Sequence, residues 1–344
     1  MSDKPTEPTT SQKDDISDAT SSATEPSTAT QREQQTTSTS PVAAVIWDFD
    51  WSLVNENSDT WIFRSLGAQE TQRIMKDRAV QWTKRCDLAV LQSQLNENHC
   101  LHAIAEAFRE LPCFVENIEA IRLLHSAGVK QYIVSDANTM FIQSFLRNHP
   151  SGTLEQCFSK IISNKATLQP RKEAEATLRQ YREQTEFGGE QLADCKPEDS
   201  CDKKECTNGL VMRISAYHSH DCEICPVNMC KGTILRRELF ADTPGEHYVS
   251  WPERKILYVG DGGGDYCAAL ALRAHDTLLV RRGFRLEKVL VRKRLENEDE
   301  KGTQPSCDVR FWDDGAHLKR HILGFLAGEA NAPQQNDQVN TAAI

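Results

Sequence analysis

The feature that most constrains this chain is an apolar run, Val42 to Trp47, that stops at two carboxylates, Asp48 and Asp50, with Phe49 between them. A continuous β-branched and apolar run of this length predicts a strand buried on both faces, as in a parallel sheet covered by helices. Alternation along an extended chain predicts that Asp48 and Asp50 point to the same side. Acids at the carboxyl end of a central parallel strand stand where α/β sheets bind ligands. Two carboxylates so placed can hold one hard cation, and one of them can attack phosphorus. The same residues would equally suit a strand followed by an acidic turn, so the rest of the sequence has to separate the two readings.

Two later runs end in the same way. Val129 to Asp136 is a short apolar strand closing on Ser135-Asp136, and Lys255 to Asp261 runs into Gly260-Asp-Gly-Gly-Gly-Asp265. Between the first two runs, Trp61, Ile62, Leu66, Ile74, Trp82, Leu88, Leu91 and Leu95 recur at helical spacing among charged residues. That excursion is too long for a plain crossover, so residues 57–110 are expected to form a helical cap over the strand ends. Helices are expected over Phe114–Ala127, Thr139–Asn148, Lys231–Phe240, Tyr266–Ala274, Phe284–Arg294 and His317–Ala327, and strands over Lys160–Ser163, Thr277–Val280 and Asp308–Trp312. Strands alternating with helices imply an α/β fold with a Rossmann-like parallel sheet and right-handed crossovers. Residues 41–56 and 111–327 would make its core.

Composition bounds the remainder. The hydrophobic content of 39% is low because residues 1–40 are mostly Ser, Thr, Gln, Asp and Glu. Such a segment cannot bury enough surface to offset its ordering entropy and is expected to be a disordered tail, as are residues 328–344. Thr167 to Val211 is rich in Glu, Lys, Gln, Asp and Gly, and reads as a mobile insertion with a helix through Glu173–Gln184. No apolar stretch is long enough to span a bilayer, and the acidic amino terminus does not suit a transit or signal peptide. A soluble, cytoplasmic protein without membrane contact is expected. The net charge of -10 argues against a nucleic-acid surface, which needs clustered Lys and Arg. It leaves a small phosphorylated substrate open, because one local cation can invert the field inside a cleft.

In a parallel sheet the three acidic strand ends share one edge, so Asp48, Asp50, Ser135, Asp136, Asp261 and Asp265 should converge although they are far apart in sequence. Carboxylates forced together repel, which raises a pKa unless a cation sits among them. Mg²⁺ suits such a site because it prefers oxygen ligands and keeps waters and substrate phosphate in its octahedron. Gly262, Gly263 and Gly264 are expected to let the backbone turn sharply and approach a ligand. Lys231, opening a helix, would supply the missing positive charge for carboxylate and phosphate.

These residues resemble the haloacid-dehalogenase-like phosphatases. Asp48-Phe-Asp50 with Ser52 is similar to their Asp-x-Asp-x-Thr/Ser motif, Ser135 to the second motif, Lys231 to the third, and Gly260-Asp261-Gly262 through Asp265 to the fourth. Asn55 to Asp59, Val134 to Asn138, Cys222 to Lys231, Tyr258 to Gly262 and Arg281 to Phe284 narrow the resemblance to the phosphoethanolamine/phosphocholine phosphatase and pyridoxal-phosphate phosphatase family. The resemblance implies an Asp48 nucleophile that forms an aspartyl-phosphate, and an Asp50 acid that becomes a base toward water. It implies Mg²⁺ held by Asp48, the main-chain carbonyl of Asp50 and Asp261, with Asp265 supporting. Ser135 and Lys231 would bind phosphoryl oxygens, and Asp59 and Asp136 the amine-bearing part of the substrate. Phosphoethanolamine or phosphocholine is the implied substrate, with pyridoxal-5′-phosphate, or a non-catalytic phospho-ligand module, as alternatives. Two departures stand out. Trp51 occupies a position where relatives often carry a small or charged residue, and Gly263-Gly264 replaces their Ala-Asn.

The twelve cysteines fit reduced thiols, with or without a metal site, better than a disulfide framework. His218, His220, Cys222, Cys225 and Cys230 offer metal-ligand types, four of which could hold Zn²⁺. Their spacing matches no standard zinc finger, so reduced structural thiols beside the Lys231 helix are the competing reading.

Overall fold

The computed structural model describes residues 44–184, 209–239, 255–296 and 302–327. The two expected tails and residues 185–208 of the expected insertion lie outside the described residues. Seven strands form one sheet: β1 (Ala44–Trp47), β2 (Lys130–Asn138), β3 (Lys160–Pro170), β4 (Leu210–Ser215), β5 (Ile256–Gly260), β6 (Thr277–Arg281) and β7 (Asp308–Trp312). Their order is β4-β3-β2-β1-β5-β6-β7. All neighbours are parallel except β3 and β4. β1 is therefore central, and every residue of β1, β5 and β6 is buried, which is why β1 and β5 are continuous apolar runs and Leu278 to Val280 form the middle of β6.

The pleat divides β1 between two cores. Val45 and Trp47 pack with helices α5 (Val115–Ser126), α6 (Thr139–Asn148) and α11 (Gly315–Leu326). Ile46 packs on the opposite face with residues of α8 (Lys231–Ile234), α9 (Asp265–Ala269) and α10 (Arg285–Glu296). Four helices stand between β1 and α5: α1 (Ser58–Ser65), α2 (Gln69–Lys76), α3 (Trp82–Leu95) and α4 (Leu101–Ala107). Asn57 caps α1 by accepting from the Thr60 N–H, at 3.0 Å.

The segment expected to be a mobile insertion is in part regular structure. β3 continues to Pro170, well past Ser163, and runs into α7 (Arg171–Glu183) before β4 returns antiparallel to it. Polar contacts fasten these elements to α3. Asp87 accepts from both arms of Arg213 at 2.8 Å and from the Ile214 N–H at 2.9 Å. Gln94 exchanges two hydrogen bonds with the Met212 main chain. These polar bonds, which hydrophobic periodicity misses, accompany an apolar contact in which Ala174, Leu178, Val211, Met212 and Ile214 join the core with Leu88, Leu91 and Leu95.

Candidate active site

The carboxyl ends of β1, β2 and β5 meet as the sequence predicts, but the acidic pair is not held by strand alternation. The strand stops at Trp47, and residues 49–53 wind into a wide helical turn closed by the Leu53 N–H on the Asp48 carbonyl and the Val54 N–H on the Phe49 carbonyl. The two side chains thereby reach different partners. Asp48 accepts from the Phe49 N–H at 2.7 Å and from the Lys231 ammonium at 2.9 Å. Asp50 accepts from the Ser58 N–H and from Asn57 Nδ2, both at 2.9 Å, which ties it to the start of α1.

Asp48, Asp261 and Asp265 offer carboxylate oxygens that all lie within 4.8 Å of one another. Asp265 is fully buried and its oxygens are committed. Oδ1 accepts from Lys231 at 2.8 Å and Tyr258 at 2.7 Å, and Oδ2 from the N–H groups of Asp261 at 3.1 Å and Gly262 at 2.9 Å. It therefore fastens the lysine, the tyrosine and the loop that carries Asp261. Asp261 in turn accepts from Ser52 at 3.1 Å, which closes the ring back to the β1 turn.

None of the glycines 262–264 has the left-handed backbone that a sharp glycine turn would show. Their constraint is steric. A Cβ on Gly263 would stand 2.8 Å from Arg285 Nε, and one on Gly260 would stand 2.8 Å from the Asp265 carboxylate.

Burial and crowding set the electrostatics. Burial, then the neighbouring Asp265 charge, pushes the Asp48 carboxyl well above the usual range, opposed by Lys231. Burial, then Asp59, does the same to Asp50. Asp59 and Asp261 are each raised to about 7, chiefly by burial. A divalent cation placed among these three carboxylates would offset the crowding of negative charge that Lys231 alone only partly relieves. The donor set is all oxygen, which suits Mg²⁺.

Ser135 is fully buried in β2, three residues before the strand ends at Asn138. Asp136 beside it adds to the negative field at Asp48, Asp50, Asp59 and Asp261. Asp59 accepts from Asn138 Nδ2 and the Cys86 thiol, both at 3.3 Å. All eight residues singled out from sequence thus gather at one sheet edge.

The Put_Phosphatase family model, described as Putative Phosphatase, matches residues 43–210 and 205–326. The chain belongs to this family. It is a haloacid-dehalogenase-like phosphatase. It is 28% identical over 288 residues to the thiamine phosphate phosphatase-like protein of Arabidopsis thaliana, covering 82% of this chain and 95% of that one. It is 25% identical to inorganic pyrophosphatase 2 of the same plant, over 82% of this chain and 83% of that one. It is 24% identical to the human pyridoxal phosphate phosphatase PHOSPHO2, over 81% and 96% respectively. Among the described residues no helix is long and apolar enough to cross a membrane.

Two residues to which sequence reading gave no role shape this phosphatase's site. Tyr258 on β5 reaches Asp265, as above. Arg281, at the end of β6, donates to the Trp51 carbonyl at 2.6 Å and to Asn55 Oδ1 at 2.5 Å. Its guanidinium lies 4.4 Å from the Phe284 ring centre and 5.0 Å from that of Trp312. The clamp explains Trp51. That residue holds a left-handed backbone at φ 57°, which is costly for a bulky side chain. The Trp51 N–H on the Glu56 carbonyl, Arg281 on its own carbonyl and its ring 5.5 Å from Phe284 fix it there. Arg281-Arg-Gly-Phe284 was legible as a family pattern, but its partner in the β1 turn lies 230 residues away.

Proposed function

We propose that this phosphatase hydrolyses a small, amine-bearing phosphate monoester, such as phosphoethanolamine or phosphocholine, by a two-step displacement through Asp48. The observation that carries the reading is the buried Asp48 carboxylate at the end of the central strand, 2.9 Å from the Lys231 ammonium and grouped with Asp261 and Asp265. A carboxylate is a workable nucleophile toward a phosphate dianion only when positive charge screens their repulsion. Lys231 supplies part of that charge. Mg²⁺ bound by Asp48, Asp261 and the Asp50 carbonyl would supply the rest, as a Lewis acid on the phosphoryl oxygens.

Asp48 attacks phosphorus and forms an aspartyl-phosphate. Asp50, whose raised pKa favours a proton, gives that proton to the leaving oxygen. The resulting carboxylate then takes a proton from the water that cleaves the intermediate. Ser135 and Lys231 bind phosphoryl oxygens. Asp59 and Asp136, whose charges both act on Asp50, suit a cationic substrate head.

Pyridoxal-5′-phosphate is the second candidate, supported by the relative named for that substrate. Asp48→Asn is the test. It should leave the fold intact and lower kcat by at least about 10³-fold, and retained turnover would remove Asp48 from the nucleophile's role. A kinetic screen of phosphate esters by kcat/KM should rank cationic esters above uncharged ones of equal size. A reverse ranking would sink the amine assignment.

A further inference from the structure

The strongest feature outside the carboxylate cluster is a set of four cysteines. The Sγ atoms of Cys222, Cys225, Cys230 and Cys267 all lie within 4.8 Å of one another, with Cys222–Cys267 and Cys230–Cys267 both at 3.7 Å. Zn–S bonds of about 2.3 Å in a tetrahedron put the sulfurs about 3.8 Å apart. A disulfide needs about 2.05 Å, and all four are free cysteines. The backbone also turns toward one of the sulfurs, since Cys230 Sγ accepts from the Thr233 N–H at 3.4 Å.

The histidines that share this stretch of sequence do other work. His218 Nε2 accepts from the Cys230 N–H at 3.3 Å, and His220 Nε2 bonds the Pro226 carbonyl at 2.8 Å. The fourth thiol, Cys267, comes from α9 and was invisible to local spacing. Gly232 records the closeness of that approach, since a Cβ there would stand 2.6 Å from Cys267 Sγ.

We infer that Cys222, Cys225, Cys230 and Cys267 bind one structural Zn²⁺ as a tetrathiolate. Four thiols release four protons to solvent as one Zn²⁺ binds, and no electron is transferred. Thiolate sulfur selects the soft ion, while the carboxylate cluster selects the hard one, so the two sites do not compete.

The placement gives the zinc a purpose. Cys230 directly precedes Lys231, and Cys267 follows Asp265 by two residues. The ion therefore cross-links the starts of α8 and α9, whose lysine and aspartate pair at 2.8 Å. It also orders residues 216–230, which contain no helix or strand yet bury Asn228, Met229 and Cys230. Cys222, Cys225, Cys230 and Cys267 are positioning residues in this scheme.

The test uses the full chain, made without a histidine tag in zinc-supplemented medium and purified without chelator. Elemental analysis should find one Zn²⁺ per chain, retained on desalting. Cys222→Ser, Cys225→Ser, Cys230→Ser and Cys267→Ser should each hold less than about a tenth of an equivalent. His218→Ala and His220→Ala should keep the full amount. Asp261→Asn should keep zinc while losing Mg²⁺-dependent turnover, which separates this site from the proposed reaction.

Should a cysteine variant fail to fold, the wild-type chain stripped and reloaded with Co²⁺ decides the matter. It should show thiolate charge-transfer and tetrahedral d–d bands. Substoichiometric zinc without those bands, a disulfide among the four cysteines by mass, or zinc loss in His218→Ala would overturn the assignment.

Discussion

Asp265→Asn isolates the residue on which the site geometry turns. The substitution keeps shape and volume but replaces one carboxylate oxygen with an amide NH₂, which donates and cannot accept. Four donors now converge on Asp265: Lys231 and Tyr258 on one oxygen, and the Asp261 and Gly262 N–H groups on the other. Turned toward the loop, the amide NH₂ faces two N–H donors; turned the other way it faces the Lys231 ammonium, while the Tyr258 hydroxyl can rotate to accept. Hydrogen bonds to charged groups are worth about 1.5–3 kcal/mol each, and breaking one side of a buried ion pair costs about 3–5 kcal/mol. Destabilisation of that order is expected.

The functional effect should be disproportionate, because the same bonds aim Lys231 at Asp48 and fix the Asp261 loop. If about 3 kcal/mol of it appears in the reactive geometry, kcat falls about 100-fold. The half-saturating Mg²⁺ concentration should rise as well. Tyr258→Phe removes one donor and leaves the carboxylate intact, so its loss should be about 1 kcal/mol with a modest change in kcat. The assays are kcat and KM on a chromogenic phosphate ester, Mg²⁺ titration of activity, and denaturant unfolding. A folded Asp265→Asn protein with kcat within about threefold of wild type, and unchanged Mg²⁺ activation, would refute the assignment of Asp265 as organiser.

Chelation by EDTA should abolish turnover, and added Mg²⁺ should restore it; activity that survives chelation would sink the metal reading. Stability of the metal-free chain should depend on pH through Asp59, whose folded pKa of about 7 exceeds its ordinary value. A raised acid favours the protonated folded state, so stability falls as pH rises from about 4 to about 7 and then levels. Denaturant midpoints of Asp59→Asn should show a shallower fall over that window, and an equal slope would contradict the burial argument. The same titration should lower KM for a cationic ester about tenfold between pH 6 and pH 8, as Asp59 ionises, but not for an uncharged one. Arg281→Ala should cost about 2–4 kcal/mol and lower kcat more than it raises KM, because the Trp51 turn loses its clamp. Trp51→Gly, which relieves the left-handed backbone, should be destabilising by less than Arg281→Ala.

The sequence by itself determined the sheet and the chemistry at its edge. β1 and β5 are buried on both faces, so their residues had to be continuous apolar runs, and each run visibly ends in acids. Parallel order then brings Asp48, Ser135 and Asp261 together whatever lies between them. What only the tertiary structure decided is how those groups are held. The wide turn after Trp47, the Arg281 clamp on Trp51, the four bonds to Asp265 and the arrival of Cys267 beside Cys222 and Cys230 join residues separated by up to 230 positions. Such contacts leave no periodicity, because each is made by one or two polar atoms. The helix at α7 was legible, but the pairing of β4 was hidden for the same reason. Beside its buried Val211, Met212 and Ile214, β4 is fixed to α3 by Asp87, Gln94 and Arg213, whose composition reads as solvated surface until the partners are placed opposite one another.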